Sequence, residues 1–112
     1  MNNDKFNVIN KTKKFIEFID SVVINYPRRE YVLKDKMITT SYDLLEFIYL
    51  GNVSEDKIDI QKKILSKISM LDFYLEQSYN KECISLKKMQ NGSRQLNEIR
   101  KMVYGWIKEN AS

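Results

Sequence analysis

The sequence predicts an all-α protein, an antiparallel up-down-up-down four-helix bundle. Three observations point there. In 112 residues only Pro27, Gly51, Gly92 and Gly105 readily interrupt helices. Apolar residues recur at the three-and-four spacing of a helix face in one long segment after another. Pro27, Gly51 and the polar run Ser78-Tyr79-Asn80-Lys81-Glu82 then cut the chain into four helix-length pieces. One domain over residues 1–112 is expected, with helices at about 4–25, 28–50, 54–78 and 85–108.

In the first segment Phe15, Ile16, Ile19, Val22, Val23 and Tyr26 share one face, while Lys13, Lys14, Glu17 and Asp20 fall off it. Pro27 ends the helix, because its ring disfavours helical geometry at Tyr26. It also suits the opening turn of the next helix, where a missing N–H costs nothing. The second segment carries Leu33, Met37, Thr40, Ser41, Leu44 and Ile48 as its stripe. The small polar pair in mid-stripe implies a close helix–helix approach, with hydroxyls bonding back to the backbone.

Gly51-Asn52 reads as a left-handed C-terminal stop, and Ser54 as the next N-cap with Glu55 and Asp56 behind it. The third segment's stripe is Ile64, Ile68, Leu71 and Leu75. Ser85 caps the fourth, whose inner face is Leu86, Met89, Ser93, Leu96, Val103 and Ile107. Gly92 costs this helix about 1 kcal/mol relative to Ala, so local packing or a kink is expected there. Short connections make sequential helices antiparallel neighbours.

More apolar surface is present than one bundle core requires. Ile38, Tyr42, Leu45 and Tyr49 form a second stripe on the second helix, and Ile99, Met102 and Trp106 on the fourth. Any one of these residues could be a core edge, but two such stripes together point to subunit contacts. Ile38, Tyr42, Tyr49, Met102 and Trp106 are therefore expected at an oligomer interface.

With 43% apolar and 30% charged residues, the chain reads as an ordinary soluble globular protein. Charge interrupts every apolar stretch, so no membrane segment is expected, and no apolar signal-peptide core follows the N-terminus. Cytoplasmic residence is the expectation, and the lone Cys83 fits a reducing compartment. Without any His to activate it, Cys83 reads as a packing or surface thiol.

The net charge of +4 is uneven: residues 81–112 hold seven basic groups against three acidic. Lys87, Arg94, Lys101 and Lys108 recur every seven residues and form one basic ridge, drifting only about 20° per heptad. Lys88 is expected on the same side. Arg28, Arg29, Lys34 and Lys36 crowd the start of the second helix, which a bundle places at the same end as the start of the fourth. A solvated lysine-rich surface competes with a polyanion site, and the clustering favours the polyanion, nucleic acid above all.

Catalytic readings find little material. Glu55, Asp56 and Asp59 occupy a helix N-terminus where carboxylates are expected anyway. Asp43 and Glu46 lack the further ligand a metal set needs, so no metal or cofactor is expected. Four-helix ribonucleases of the HEPN class need an Arg followed by a His, and this chain has no His.

Two stretches carry a resemblance. Residues 26–37, Tyr-Pro-Arg-Arg-Glu-Tyr-Val-Leu-Lys-Asp-Lys-Met, resemble the "aromatic-Pro-basic … Leu-x-Asp-basic" opening of the second helix in a bacterial four-helix-bundle family. Residues 97–108, Asn-Glu-Ile-Arg-Lys-Met-Val-Tyr-Gly-Trp-Ile-Lys, resemble its closing Asn-Glu-Ile-Gly-Arg-Met-Leu-Gly-Gly-Trp-Ile-Lys. That family comprises Avd, the accessory variability determinant of diversity-generating retroelements, and proteins encoded in intervening sequences of large-subunit rRNA genes. The Gly-Trp-Ile-Lys ending favours the Avd branch.

The resemblance implies a non-catalytic homopentamer that binds RNA or DNA and a reverse transcriptase, assisting mutagenic cDNA synthesis. The alternative it implies is an intervening-sequence protein with no reverse transcriptase partner. Arg28, Arg29, Lys34 and Lys36 fall in the first matched motif, and Arg100, Lys101 and Lys108 in the second. The chain departs from the family pattern at Arg100 and Tyr104, where Gly is usual.

Overall fold

The computed structural model describes the backbone over residues 3–111 and side chains over residues 7–106. Four helices form it: α1 (Asn3–Val22), α2 (Tyr31–Val53), α3 (Lys57–Asn80) and α4 (Leu86–Ala111). Each packs on the next, and α4 closes the square against α1. The core is one continuous cluster running through Phe15, Ile19, Met37, Leu44, Ile48, Ile64, Ile68, Leu71, Leu75, Leu96 and Val103. These belong to the stripes that helical periodicity marks out, and burying them drives assembly; Leu86, read as the start of the α4 stripe, is instead 46% exposed in the first turn of that helix. Among the described residues, no helix is long and apolar enough to cross a membrane.

Pro27 works as its chemistry requires. A 3-10 turn at Val23–Asn25 winds down α1, and Tyr26 and Pro27 are extended, with ψ of 137° and 150°. A second 3-10 turn, Arg28–Glu30, then opens into α2. The expected second helix therefore begins as a tight turn and becomes α-helical only at Tyr31. At the corner, the buried Tyr26 hydroxyl donates to Ser78 Oγ at 2.7 Å, and Ser78 Oγ donates to the Tyr74 carbonyl at 2.7 Å. Ser78 is thus a buried helical residue rather than the start of a loop. In mid-stripe, Ser41 Oγ donates to the Ile38 carbonyl at 2.7 Å, so that hydroxyl is satisfied within its own helix.

Three helix ends differ from expectation. Gly51 does not stop α2: no glycine has a positive φ, and the helix runs through to Val53. Its lack of a side chain serves packing instead. A Cβ there would meet the Trp106 ring, with Cζ2 and Cζ3 at 3.1 and 3.2 Å. The cap of α3 is Asp56, not Ser54; its carboxylate accepts the Asp59 N–H at 3.0 Å. The end of α3 is a Schellman motif, with Cys83 N–H on the Ser78 carbonyl (2.8 Å) and Glu82 N–H on the Tyr79 carbonyl (3.0 Å). Glu82 takes the left-handed position at φ 63°, where Gly is usual. Ser85 caps α4 as expected, accepting the Lys88 N–H at 3.2 Å.

The glycines make a direct test. Gly51→Ala drives a methyl into a rigid indole and is expected to cost about 1–3 kcal/mol. Gly105→Ala, with nothing within 4 Å, is expected to gain roughly 0.5–1 kcal/mol from helix propensity. Urea denaturation of both variants measures the opposite signs.

Tyr26 makes a second. Burial raises its phenol above the ordinary 10.0, outweighing the lowering by the Ser78 hydrogen bond. A raised folded pKa means that the stability it carries is present below the unfolded value and lost as pH rises through the folded one. Tyr26→Phe is expected to cost about 1 kcal/mol at neutral pH. It should also flatten the loss of stability above about pH 10, read from denaturation midpoints across that range.

Candidate nucleic-acid interface

Antiparallel packing brings the start of α2, the end of α3 and the start of α4 to one end of the bundle, as the sequence implied. There Glu30, with a side chain only 14% exposed, accepts Lys81 at 3.3 Å and lies 3.8 Å from Arg29 Nε. This small acidic hub ties the 3-10 turn that opens into α2 to Lys81, the residue that follows α3. It also offsets part of the charge gathered around it. Arg28, Arg29 and Lys36 are exposed, and Lys34 is half-buried.

The ridge on α4 holds for Lys87, Arg94 and Lys101, all exposed. Lys108 and Ile107 lie outside the residues whose side chains are described. Lys88 does not join this ridge: successive residues of a helix lie about 100° apart. It lines instead a groove of about 640 Å³ with Asn25, Tyr79, Cys83 and Ser85, on the flank towards α1. Cys83 there is a poor nucleophile, because burial and then Glu30 push its thiol up against the opposing pull of Arg29 and Lys81.

Arg100 is a different kind of residue from its basic neighbours. Its guanidinium reaches across to Asp72 on α3 at 3.2 Å and also donates to Asn97. Ser93 donates to the other oxygen of Asp72 at 2.7 Å. Arg100 and Asp72 are each about 30% exposed, so this is a half-buried clamp between α3 and α4. Sequence reasoning grouped Arg100 with the polyanion contacts; the structure gives it an internal partner.

Lys11 and Glu98 tie α1 to α4 at 2.6 Å. The hydrogen bond and charge of Lys11 hold the Glu98 carboxyl below its ordinary 4.5, with Arg94 and Lys101 adding to the effect. A depressed carboxylate stabilises above its unfolded pKa and loses that contribution as pH falls through the folded value. The pair is therefore intact at neutral pH and fails only in acid. Glu98 sits between two ridge cations, which moderates the ridge without cancelling it.

The second apolar stripes divide. On α2, Tyr42 and Tyr49 are 50% and 45% exposed, and Ile38 and Leu45 are half-buried. On α4 the expectation needs correction. Ile99 is fully buried and Trp106 is 2% exposed, both inside this chain's own core, with Met102 packed at its edge. The reason is Gly51, whose missing side chain lets the indole lie against α2. Lys57 then covers the ring at 6.0 Å and donates to the Gly51 carbonyl, closing the C-terminal end of α2. Sequence reasoning did not single out Val32, Phe73 and Tyr74, which line a groove between α2 and α3. Phe73 and Met70, large apolar residues off the main stripe of α3, were the available signal.

A four-helix bundle with one strongly basic helix face and a basic end defines a small helical protein whose visible chemistry is surface charge. The chain belongs to the bAvd-like family, whose model matches residues 7–110. No curated protein matches it.

The contrast between neighbours on α4 is measurable. Arg100→Ala is expected to cost about 1–2 kcal/mol, since it strips a half-buried carboxylate of its partner. Lys101→Ala is expected to stay within about 0.5 kcal/mol of the parent. Thermal denaturation of both variants separates the two.

Proposed function

We propose that the protein is a non-catalytic accessory protein of a diversity-generating retroelement. In this reading it binds nucleic acid and the reverse transcriptase and supports mutagenic cDNA synthesis from a template RNA. The observation that carries the reading is membership of the bAvd-like family over nearly the whole chain. The exposed row of Lys87, Arg94 and Lys101 supports it physically, because such a row follows a phosphate backbone without reading bases. The basic end, with Arg28, Arg29 and Lys36, extends the surface available to RNA, DNA or the enzyme.

The same reading makes the protein a cytoplasmic homopentamer. The exposed Tyr42 and Tyr49 with Ile38 and Leu45 are its candidate subunit contacts, because tyrosines supply large amphipathic contact area. Trp106 supports assembly through the fold of each subunit rather than as a contact.

Binding is expected to be weak in sequence preference and steep in salt. If one subunit neutralises roughly four phosphates, affinity for a duplex falls about 100-fold between 50 and 200 mM salt, a log–log slope near −3.6. The triple variant Lys87→Glu, Arg94→Glu, Lys101→Glu should lose that binding while keeping its helicity and mass, since exposed charges add little to folding. Filter binding, light scattering and copurification with the reverse transcriptase of the same locus test the reading together. A triple variant that binds nucleic acid normally would sink it.

A further inference from the structure

The apolar interior of the groove between α2 and α3 has no role in the proposed nucleic-acid contacts, which share with it only cations at its rim, and its chemistry differs from theirs. Val32 and Phe73 stand 54% and 48% exposed on opposite walls, with Leu33 and Tyr74 below them. Its volume is about 300 Å³, enough for a few apolar side chains. Lys36 and Lys81 stand at its rim. Lys81 is held by Glu30, while Lys36 has no ion-pair partner among the described residues. Glu30 also lines the groove and is engaged by Lys81, with Arg28 and Arg29 beyond it, so the groove is apolar inside and its surround carries more basic than acidic groups.

We infer that this groove docks an acidic amphipathic helix of a partner protein, with its apolar side chains between Val32 and Phe73 and its carboxylates on Lys36 and the neighbouring cations. A furrow between two antiparallel helices receives a third helix by interleaving side-chain ridges. Charge complementarity then selects an acidic flank and repels a basic one. Nucleic acid fits the groove poorly. Its floor is partly aliphatic, and the Phe73 and Tyr74 rings are tilted by 54° at 6.1 Å, which offers no flat platform for stacked bases. The groove lies on the α2–α3 flank and the basic ridge on α4, so the two surfaces are separable. The inference goes beyond the proposed function, and its failure would leave the nucleic-acid reading standing.

The probe is a synthetic helical peptide of about 18 residues, with Leu and Phe at i, i+4 and i+7 and Glu along both flanks. A counterpart carrying Lys for Glu controls for charge. With full-length protein, the acidic peptide is expected to bind at least about tenfold more tightly than the basic one and to shift NMR signals of Val32, Phe73 and Tyr74. Val32→Ser with Phe73→Ser should weaken it about tenfold and leave oligonucleotide binding unchanged. Lys36→Glu gives an independent reading that does not touch apolar packing: preference for the acidic peptide should fall or reverse.

Equal binding of both peptides, or none up to about 1 mM, would overturn the inference. So would an oligonucleotide that shifts those same three residues. A smaller assembly on Val32→Ser with Phe73→Ser would equally overturn it, by showing the groove to be a contact between copies.

Discussion

The basic surfaces depend on how the chain turns at Tyr26 and Pro27. Two extended residues reverse the direction between two 3-10 turns. The turn is then pinned to α3 by the Tyr26–Ser78–Tyr74 hydrogen-bond chain and by Glu30 on Lys81. A buried polar chain of this kind is stabilising only when every member is satisfied, and here each hydroxyl has its partner. Because the pins join the corner that precedes α2 to the end of α3 and its cap, they also fix where α4 begins. Without them Arg28, Arg29 and Lys36 would belong to a loosely held corner rather than to a defined end of the bundle.

Cations of the same type serve unlike ends in this chain. Lys81, Arg100, Lys11 and Lys57 each cross from one element to another, to Glu30, Asp72, Glu98 and the Gly51 carbonyl respectively. Lys67 does the same towards Asp43 at 3.5 Å. Such pairs hold register between helices whose apolar stripes alone would allow them to slide. Among the described residues, the exposed cations that cross to no other element include the row Lys87, Arg94 and Lys101, the group at the corner, and Lys13, Lys14, Lys62 and Lys88. Arg100 illustrates the physical basis of the division. At i+6 from Arg94 it points about 120° away from the ridge, towards α3 and its waiting carboxylate.

Much of this architecture was legible because a bundle needs little besides periodicity and stops. The core stripes, the corner at Pro27 and the Ser85 cap follow from residue type and spacing alone. The misreadings share one cause, which is that a partner on another helix decides a residue's role. Gly51 looks like a helix stop until Trp106, more than fifty residues away in sequence, is laid on it. Ser78 looks like loop until Tyr26 arrives to bond it. Ile99 and Trp106 look like spare surface because their angle on α4 departs from the main stripe, yet a bundle core is wide enough to take both. The cap at Asp56 was a nearer miss, since Ser54 and Asp56 are both good cap residues and it is the Asp56 carboxylate that accepts the Asp59 N–H.

Part of the surplus apolar surface lies on the two flanks of α2. Towards α1 lie Tyr42 and Tyr49, with the Tyr42 hydroxyl only loosely held by Asp20 at 3.4 Å; towards α3 lie Val32 and Phe73. Tyrosines suit a contact that must stay soluble until it forms, because each brings apolar area and a hydroxyl that water satisfies meanwhile. Aliphatic and phenyl groups beside lysines suit a contact made with a partner that supplies the missing acid. The ridge on α4 stands apart from both flanks. The exposed tyrosines, the apolar groove and the basic ridge thus lie on separate faces of the bundle, with Lys36 and the corner arginines standing between the groove and the basic end.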